Sequence, residues 1–463
     1  MSRCRSLTAV LSLCLVAACD ADNAVRPFPE ATQPNAAVAA AATPAVEIVS
    51  VGALPVFAGA STAQANDVND AGLIVGAQYG GQYFGWHPLR WPADASAPTY
   101  LINPAMFATA NAITGDGQTA VGGWDILAEF PSQFTPIKMM SSNSSLVGLT
   151  ARCCGSDRGQ AFGVNDAAKI VGYYRKINVS VPTVDREIPA LWVGATETDL
   201  LGGESSGRAY DINNSDVVVG QRTEGPFRWQ NGVVTTLPTL GGAATTPLSI
   251  NDAGVIVGVS GTTAVRWVNG SIAALAGIPG TNSRANDVND MGQVVGSFVD
   301  PATTSTRAFL WSEDLGLIDL GPGTARAVNN RGVVVGTGGS IPVQGGPSGT
   351  QAYRWTLNFS PVARLTGPEE AKMKEALTFS AATSTDQNVD ALTYAWDFGD
   401  GSTGSGATAT HSYKKQDTYT VTVTVSDPRG LTSSASLDVS VENGKKPKKE
   451  HDNNGNGNGP KKP

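Results

Sequence analysis

The sequence predicts an all-β chain in which a seven-bladed β-propeller precedes an immunoglobulin-like β-sandwich. Three observations support this prediction. A short segment recurs seven times within residues 45–357, each repeat contains four short alternating runs typical of strands, and a different strand pattern begins at Pro361. The chain of 463 residues is long enough for several domains, and no helical periodicity competes with the strand pattern over a useful length.

The recurring segment is rich in Asn, Asp and Gly. Its two most similar copies are ANDVNDAGLIVG at 65–76 and ANDVNDMGQVVG at 285–296. A spacing of about 38–51 residues with four strands per repeat is typical of a propeller. The seven copies place these residues at one equivalent position: Asn69, Thr114, Asn165, Asn213, Asn251, Asn289 and Asn329.

Each repeat can be divided into strands, and two positions recur within them. In the sixth repeat the predicted strands are RANDV, QVVGSFV, RAFLWS and GLIDLG. A Gly in every second strand predicts a bulge or a close backbone approach, as a crowded contact between blades would need. A Trp ends the third strand of six repeats and is expected to pack between sheets, with a sugar-binding platform as the alternative. The glycines are Gly76, Gly122, Gly172, Gly220, Gly258, Gly296 and Gly336, and the tryptophans are Trp91, Trp192, Trp229, Trp267, Trp311 and Trp355.

The two ends of the repeat region complement each other. The seventh repeat stops after its third strand, and the segment AVEIVSVGALP at 45–55 precedes the first repeat as an unpaired fourth strand. Pairing residues 46–54 with the last repeat would remove both exposed sheet edges. We therefore expect a closed ring.

The NDxG stretch of each repeat has two interpretations, a calcium loop or a tight turn. A calcium loop needs an oxygen ligand at its fifth position, where Ala71 and Met291 stand. An Asn followed three residues later by Gly predicts a type I turn that ends in a left-handed residue. Asp216 tolerates that conformation in the fourth copy, whereas Ala168 in the third is the poorest fit.

The repeat resembles the extracellular HAF-repeat family, named for a His-Ala-Phe triplet in the third strand. Here that triplet is kept in part, as Arg307-Ala308-Phe309. The resemblance covers about two-thirds of the chain. It implies no established reaction.

A second resemblance begins at Pro361. The stretches TYAWDFGDGS at 393–402 and HSYKKQDTYTVTVTVSD at 411–427 closely resemble the PKD domain, which implies a β-sandwich over 361–442 with Trp396 in its core. Some PKD domains hold calcium near this Trp, and a solvated turn is the alternative to such a site. The calcium candidates are Asp386, Asn388, Asp390 and Asp400. The Lys-, Asn- and Gly-rich tail at 443–463 is expected to be disordered.

The N-terminus resembles an export signal. Arg3 and Arg5 precede the apolar run LTAVLSLCLVAA, which is too short to span a bilayer. VAAC resembles the bacterial lipoprotein box, which implies removal of residues 1–18 and lipidation of Cys19; an ordinary secretory signal is the alternative. The Ala/Pro-rich residues 19–44 are expected to form a tether. After these losses Cys153 and Cys154 remain, as a vicinal disulfide, as free thiols or paired between molecules.

Composition limits the function. A net charge of −8 argues against a nucleic-acid partner, and three distant histidines make a His-based catalytic or metal site improbable. The longer loops should gather on the face opposite the NDxG turns, where ligands are expected. The candidate ligand-binding residues are Tyr173, Tyr174, Arg175, Asp185, Arg186, Arg152 and Asp157.

Three functions remain open. The favoured one is a non-catalytic, lipid-anchored protein of the bacterial envelope, at the outer membrane or cell surface, that binds a glycan or a protein. The alternatives are a carbohydrate-active enzyme that uses acids in the propeller funnel and a purely structural protein. Glycosidase chemistry needs two paired carboxylates, and the sequence does not pair its acids. No catalytic residue or cofactor is therefore assigned, apart from the calcium candidates.

Overall fold

The structure of the protein is a computed structural model. It describes residues 36–38, 45–81, 85–125, 134–140, 145–149, 159–177, 185–203, 205–279, 282–341 and 349–443. All regular elements in these ranges are β-strands. The described residues include no helix with the length and hydropathy needed to cross a membrane.

Seven antiparallel sheets of four strands each make up residues 46–359. We number them sheets 1 to 7 in chain order of their first strands. Their strands are Ala60–Val68, Ile74–Gly80, Trp86–Trp91 and Thr99–Tyr100 (sheet 1); Phe107–Ile113, Thr119–Asp125, Phe134–Met140 and Ser145–Gly148 (sheet 2); Gly159–Val164, Lys169–Ile177, Asp185–Val193 and Thr196–Asp199 (sheet 3); Gly207–Ile212, Val218–Arg222, Gly225–Gln230 and Val233–Thr236 (sheet 4); Thr245–Ile250, Ile256–Ser260, Thr263–Val268 and Ser271–Ala274 (sheet 5); Arg284–Val288, Val294–Val299, Thr306–Ser312 and Gly316–Pro322 (sheet 6); Thr324–Val328, Val333–Ile341, Gly349–Phe359 and Val46–Ala53 (sheet 7).

The sheets follow one another in a closed cycle. The first strand of each sheet lies beside the first strand of the next, and the first strand of sheet 7 lies beside that of sheet 1. Sheet 7 takes its fourth strand from the N-terminal side of the chain, because Val46–Ala53 pairs antiparallel with Gly349–Phe359. This is the pairing that the sequence predicts for residues 46–54.

The recurring glycines of the second strands face a crowded backbone. Every first strand carries a register shift, such as the one between Ala65 and Asp67, beside the recurring glycine. A Cβ atom on Gly76 would lie 2.0 Å from the carbonyl oxygen of Gln64, and the equivalent distances in the other six sheets are 1.8–2.3 Å. The predicted bulge is thus present. The expectation that these glycines serve a contact between blades is wrong, because the crowding comes from the same sheet.

The recurring tryptophans pack between sheets, as predicted. All six are buried, with at most 9% of their surface exposed. Four also donate their indole N–H to a carbonyl at the end of a neighbouring fourth strand or its link, for example Trp355 to Leu320 at 2.9 Å. A sugar platform needs an exposed ring face, so the alternative interpretation is wrong for these residues.

The C-terminal domain is a two-layer β-sandwich. Its four-stranded sheet has the order Ala36–Val38, Arg364–Thr366, Leu377–Ser380, Thr408–His411, and its five-stranded sheet has the order Glu370–Lys372, Thr432–Glu442, Asp417–Ser426, Thr393–Asp397, Thr403–Ser405. Trp396 lies in the core, 2% exposed, as the sequence predicts. Ala36–Val38 comes from the stretch expected to be a tether, yet it pairs with the edge strand Arg364–Thr366.

Candidate functional site

The NDxG turns form one end of the cycle of sheets. In sheet 1 the N–H of Gly72 donates to the carbonyl oxygen of Asn69 at 2.9 Å, and the Asn69 Oδ1 accepts the N–H of Leu73 at 2.9 Å. The predicted left-handed residue at the last turn position is confirmed in all seven turns, with φ between +55° and +81°. Those residues are Gly72, Gly117, Ala168, Asp216, Gly254, Gly292 and Gly332.

The turn asparagines also connect neighbouring sheets. Each Asn Nδ2 donates to the carbonyl oxygen of the equivalent residue in the next sheet, as Asn213 does to Asn251 at 3.0 Å. The series continues through Asn251, Asn289 and Asn329 and returns to Asn69. It is interrupted at Thr114, which has no amide to donate. The sequence pattern predicts the role of each Asn in its own turn but not this second role between sheets.

The residue after each Asn forms a second ring. Its side chain accepts the N–H of the equivalent residue in the preceding sheet at 2.8–2.9 Å. Six sheets supply such an oxygen and sheet 2 has Gly115 instead. The acceptors are Asp70, Asp166, Asn214, Asp252, Asp290 and Asn330. The acidic appearance of the repeat is therefore explained by hydrogen bonds between sheets.

Three further carboxylates, Asp67, Asp211 and Asp287, line the space inside these rings, which has a volume of about 230 Å³. Asp67 accepts the N–H of Ile113 in sheet 2 at 2.8 Å, and Asp211 accepts the N–H of Ile250 in sheet 5 at 2.9 Å. Burial raises the pKa of Asp67 and of Asp211 to about 7, and it raises the pKa of Asp287 as well. These acids connect sheets while carrying protons more readily than ordinary carboxyls.

The opposite end of the cycle holds a larger cavity of about 570 Å³, here called the central cavity. All seven sheets line it with side chains of their first strands. This is the face on which the sequence predicts the ligand. Its lining residues are Gln64, Asn66, Asn111, Gln160, Phe162, Tyr210, Leu248, Arg284, Asn286, Thr324 and Arg326.

Two arginines give the central cavity a positive charge. Arg284 and Arg326 come from the first strands of sheets 6 and 7, and both are exposed to the solvent of the cavity. Arg284 Nε donates to Asn286 Oδ1 at 3.0 Å. Among the described residues, neither guanidinium forms an ion pair with a carboxylate. Arg326 reaches the solvent of the cavity but is surrounded by protein on its other sides; this desolvation, followed by the charge of Arg284, lowers the pKa of Arg326.

An aromatic wall borders the cavity at sheets 3 and 4. The ring of Phe162 lies 5.6 Å from that of Tyr210 and 5.8 Å from that of Tyr173. The guanidinium of Arg208 lies 4.5 Å from the Tyr173 ring centroid. Arg208 also forms two hydrogen bonds of 2.6 Å with Glu187, which neutralise its charge and fix its position.

The structure brings only part of the predicted ligand site together. Tyr173 joins the aromatic wall, and the Arg175 Nε lies 3.8 Å from the Glu187 Oε1. Tyr174 packs instead against the buried cluster between sheets 2 and 3 that contains Trp192, because successive residues of a strand point to opposite faces.

Two other predicted residues lie on the neighbouring third strand. Arg186 pairs with Lys176 in the sheet and lies beside Gly203, outside the lining of the central cavity. Asp185 pairs with Ile177 at the start of the same strand. The other predicted site residues lie outside the described ranges: Arg152, Asp157, Cys153, Cys154 and Cys19.

Sequence reasoning missed most of the lining of the central cavity. Phe162, Tyr210 and Arg326 occupy one equivalent repeat position, two residues before the Val or Ile that ends each first strand, but their chemistry differs. Recurrence of residue type was therefore no guide to them. The available signal was the alternation within the first strand, which turns every second side chain towards the common axis.

The four calcium candidates do not converge. Asp386 Oδ1 accepts the N–H of Asn388 at 2.7 Å and that of Asp390 at 3.3 Å. Asp400 lies beyond the other end of the strand Thr393–Asp397, where its Oδ2 lies 2.9 Å from the His411 Nε2. No group of three or more His, Cys, Asp or Glu residues within the described ranges is placed to hold a metal ion. Asp400 therefore lies apart from the other three candidates, and calcium binding in this domain stays a prediction.

Asn388 has a structural role at the contact between the two domains. Its Oδ1 accepts the N–H of Phe359 at 2.8 Å, and its Nδ2 donates to the carbonyls of Arg331 and Leu357, both at 2.8 Å. Nearby, Asn358 Nδ2 donates to Asp427 Oδ2 at 2.7 Å. Both side-chain atoms of Asn388 are thus used in attaching the sandwich to sheet 7.

Comparison with known families identifies the C-terminal domain. Residues 358–441 match the PKD domain family. This part of the chain is a PKD domain. The chain has no match among curated protein sequences.

Several solved structures show partial likeness. A structure of carbohydrate-binding modules from the β-sandwich superfamily is 35% identical over 19% of this chain and 36% of that chain, with a TM-score of 0.18. Oligogalacturonate lyase from Vibrio parahaemolyticus is 10% identical, covering 70% of this chain and 98% of its own, with a TM-score of 0.46. TolB from Acinetobacter baumannii is 11% identical, covering 55% and 66%, with a TM-score of 0.38. At these TM-scores, the three likenesses assign no function.

Proposed function

We propose that this protein is a non-catalytic binding and display protein of the bacterial cell envelope. In this proposal the seven sheets are the blades of a closed seven-bladed propeller, the central cavity receives a glycan or protein ligand, and the PKD domain positions the propeller. One observation carries the proposal: seven sheets converge on a cavity of about 570 Å³ whose wall combines aromatic rings, amides and guanidinium groups. A volume of this size is typical of ligand sites.

The ligand site is tested by binding. The chain from Asp20 onward is applied to a glycan array and to solubilised envelope material, next to the variants Phe162→Ala and Tyr210→Ala. Both variants remove a ring from the cavity wall, so we expect the captured ligand to be lost. Tyr79→Ala is the matched control, because Tyr79 is a half-buried tyrosine of sheet 1 outside the cavity lining. Binding that survives both cavity variants would contradict the proposal.

Attachment to the membrane is a separate part of the proposal. It rests on the resemblance of VAAC to the lipoprotein box, with Cys19 as the lipidated residue. Stable anchoring requires two or more acyl chains, which this modification supplies. Cys19→Ser should move the protein from the membrane fraction to the soluble fraction. A variant that stays membrane-bound would exclude this anchor.

A carbohydrate-active enzyme is the second candidate function. The observation in its favour is that burial raises the pKa of Asp67 and Asp211 to about 7, the range of a general acid at neutral pH. Against it, both acids use their oxygens to accept backbone N–H groups from two sheets. Release of reducing ends from a bound glycan, abolished in Asp211→Asn, would establish this alternative.

A further inference from the structure

We infer that the central cavity binds an acidic glycan, with Arg284 and Arg326 contacting its carboxylate groups. This inference rests on the proposed binding function and specifies the ligand class. The juxtaposition that carries it is two guanidinium groups on neighbouring first strands, directed into one cavity that also has an aromatic wall.

The charge of the two arginines has no counterpart in the described part of the protein. The chain carries a net charge of −8, so carboxylates are plentiful, yet none of the described ones forms an ion pair with Arg284 or Arg326. Two like charges in one partly enclosed space repel each other, and an anion placed between them removes that cost. Arg208, two residues from Tyr210 on the same strand of sheet 4, shows the contrast: its charge is neutralised by Glu187.

Guanidinium groups favour planar anions. Arg presents its N–H donors as a fork that matches the two oxygens of a carboxylate, and such bidentate hydrogen bonds are stronger than neutral ones. Two arginines on neighbouring sheets can contact two carboxylates of one polymeric ligand. They can also contact both oxygens of a single carboxylate. A repeating acidic ligand satisfies both possibilities.

The remaining lining residues favour a sugar over an acidic peptide. Gln64, Gln160 and Asn111 carry amides that both donate and accept, as hydroxyl groups require. Phe162 and Tyr210 present ring surface to the cavity, where the C–H face of a sugar ring can stack. Leu248 is the single aliphatic side chain among the lining residues, so the cavity offers little to the apolar side chains of a peptide.

The experiment measures binding by titration calorimetry with defined probes. These are oligomers of galacturonate, glucuronate and mannuronate, the same oligomers after chemical reduction of their carboxyl groups to alcohols, and poly-glutamate. The proteins are the chain from Asp20 onward and its variants Arg284→Gln and Arg326→Gln. Arg364→Gln is the matched control, because it removes the same charge from an exposed position of the PKD domain.

We expect at least one oligouronate to bind and its carboxyl-reduced form not to bind. Loss of one charge-assisted contact should weaken binding about 10- to 100-fold in each cavity variant, and Arg364→Gln should match the wild type. Added salt should weaken binding by the wild type, because part of the attraction is between charges near solvent. Arg326→Lys, which keeps the charge and loses the fork, should show an intermediate affinity and covers the case in which the Gln variant does not fold.

Other outcomes overturn the inference. Equal binding of the oligouronates and their carboxyl-reduced forms, or unchanged affinity in both cavity variants, would show that the ligand is not recognised by its acid groups. In that case the proposed binding function is still tested by the loss of ligand in Phe162→Ala and Tyr210→Ala. Preference for poly-glutamate would identify an acidic protein as the partner. Absence of binding to every oligouronate would also reject the inference, and the array result would decide the broader proposal separately.

Discussion

Asn329 of sheet 7 donates its side-chain Nδ2 to the backbone carbonyl oxygen of Asn69 in sheet 1, at 2.9 Å, across 260 residues of sequence. Both asparagines are buried, with 4% and 6% of their surface exposed. The same bond joins sheets 4 to 5, 5 to 6 and 6 to 7. The contact that closes the cycle, between sheets 7 and 1, therefore uses the same type of hydrogen bond as the contacts between consecutive sheets.

Replacing Asn329 tests how much this joint contributes. In Asn329→Ala, the N–H of Val333 loses its buried acceptor, Asn329 Oδ1, and the Asn69 carbonyl keeps only its bond from the Gly72 N–H. An unsatisfied buried N–H costs about 1–3 kcal/mol, so we expect the free energy of unfolding to fall by about that amount. Asn251→Ala removes the equivalent interior bond and is the comparison. Denaturant unfolding of both variants measures the difference, and a value near zero for Asn329 would mean that the closing joint contributes nothing.

The strand Val46–Ala53 provides a second test of closure. A chain that starts at Val56 lacks the fourth strand of sheet 7, which exposes the edge of Gly349–Phe359 and removes the bond from Leu54 N–H to the Ala352 carbonyl. We expect a lower melting temperature and a greater tendency to aggregate. A chain that starts at Ala45 keeps this strand and is the control. Identical melting curves for the two truncations would refute the closure.

The left-handed residue at the last position of the NDxG turns can be tested by two opposite substitutions, Gly to Ala in one turn and Ala to Gly in another. Gly254 has φ +80°, and a Cβ atom there would meet nothing within 4 Å, so Gly254→Ala reports the backbone conformation alone. The left-handed conformation costs an L-residue roughly 1–2 kcal/mol, and we expect that loss of stability. Ala168 already occupies the same position with φ +55°, so Ala168→Gly should stabilise the protein. The net gain is smaller, because Gly also increases the entropy of the unfolded chain. Chemical denaturation checks both signs.

The repeats explain which features could be predicted from the sequence. Features that every sheet needs recur in all or nearly all copies. These features are the pattern of four short strands, the left-handed turn residue and the buried Trp. The strand Val46–Ala53 could be predicted because the last repeat visibly lacks a fourth strand of its own. Contacts between sheets were not found, because the Asn69 amide satisfies its own turn and its neighbour with different atoms. The central cavity depends on side chains that differ from sheet to sheet, so no pattern marked Phe162 or Arg326.

Stability should depend on pH through the inner acids. Burial raises the pKa of Asp67 and Asp211 to about 7 in the folded protein, compared with about 3.9 in an unfolded chain. Between these values the folded state binds more protons than the unfolded state. The contribution of these two groups to the free energy of unfolding is therefore fully present below about pH 4 and is lost as the pH rises through 7. Melting temperatures across this range should fall more steeply for the wild type than for Asp67→Asn. Parallel curves for the two proteins would show that Asp67 does not titrate in this window.

Asn388 should couple the two domains. Its amide bonds the Arg331 and Leu357 carbonyls, and its oxygen accepts the N–H of Phe359, so Asn388→Ala leaves three backbone groups at the contact without this partner. The Asn388 side chain is half-buried, and water can replace part of these bonds, which makes a loss of about 1–2 kcal/mol the expected scale. We expect differential scanning calorimetry to show two separated transitions for the variant where the wild type has more closely coupled ones. Asp390→Ala is the matched control in the same loop, because the Asp390 side chain has no hydrogen bond to sheet 7 among the described contacts. If both variants melt alike, the domain contact does not depend on Asn388. If only Asn388→Ala separates the transitions, its amide transmits stability between the sandwich and sheet 7.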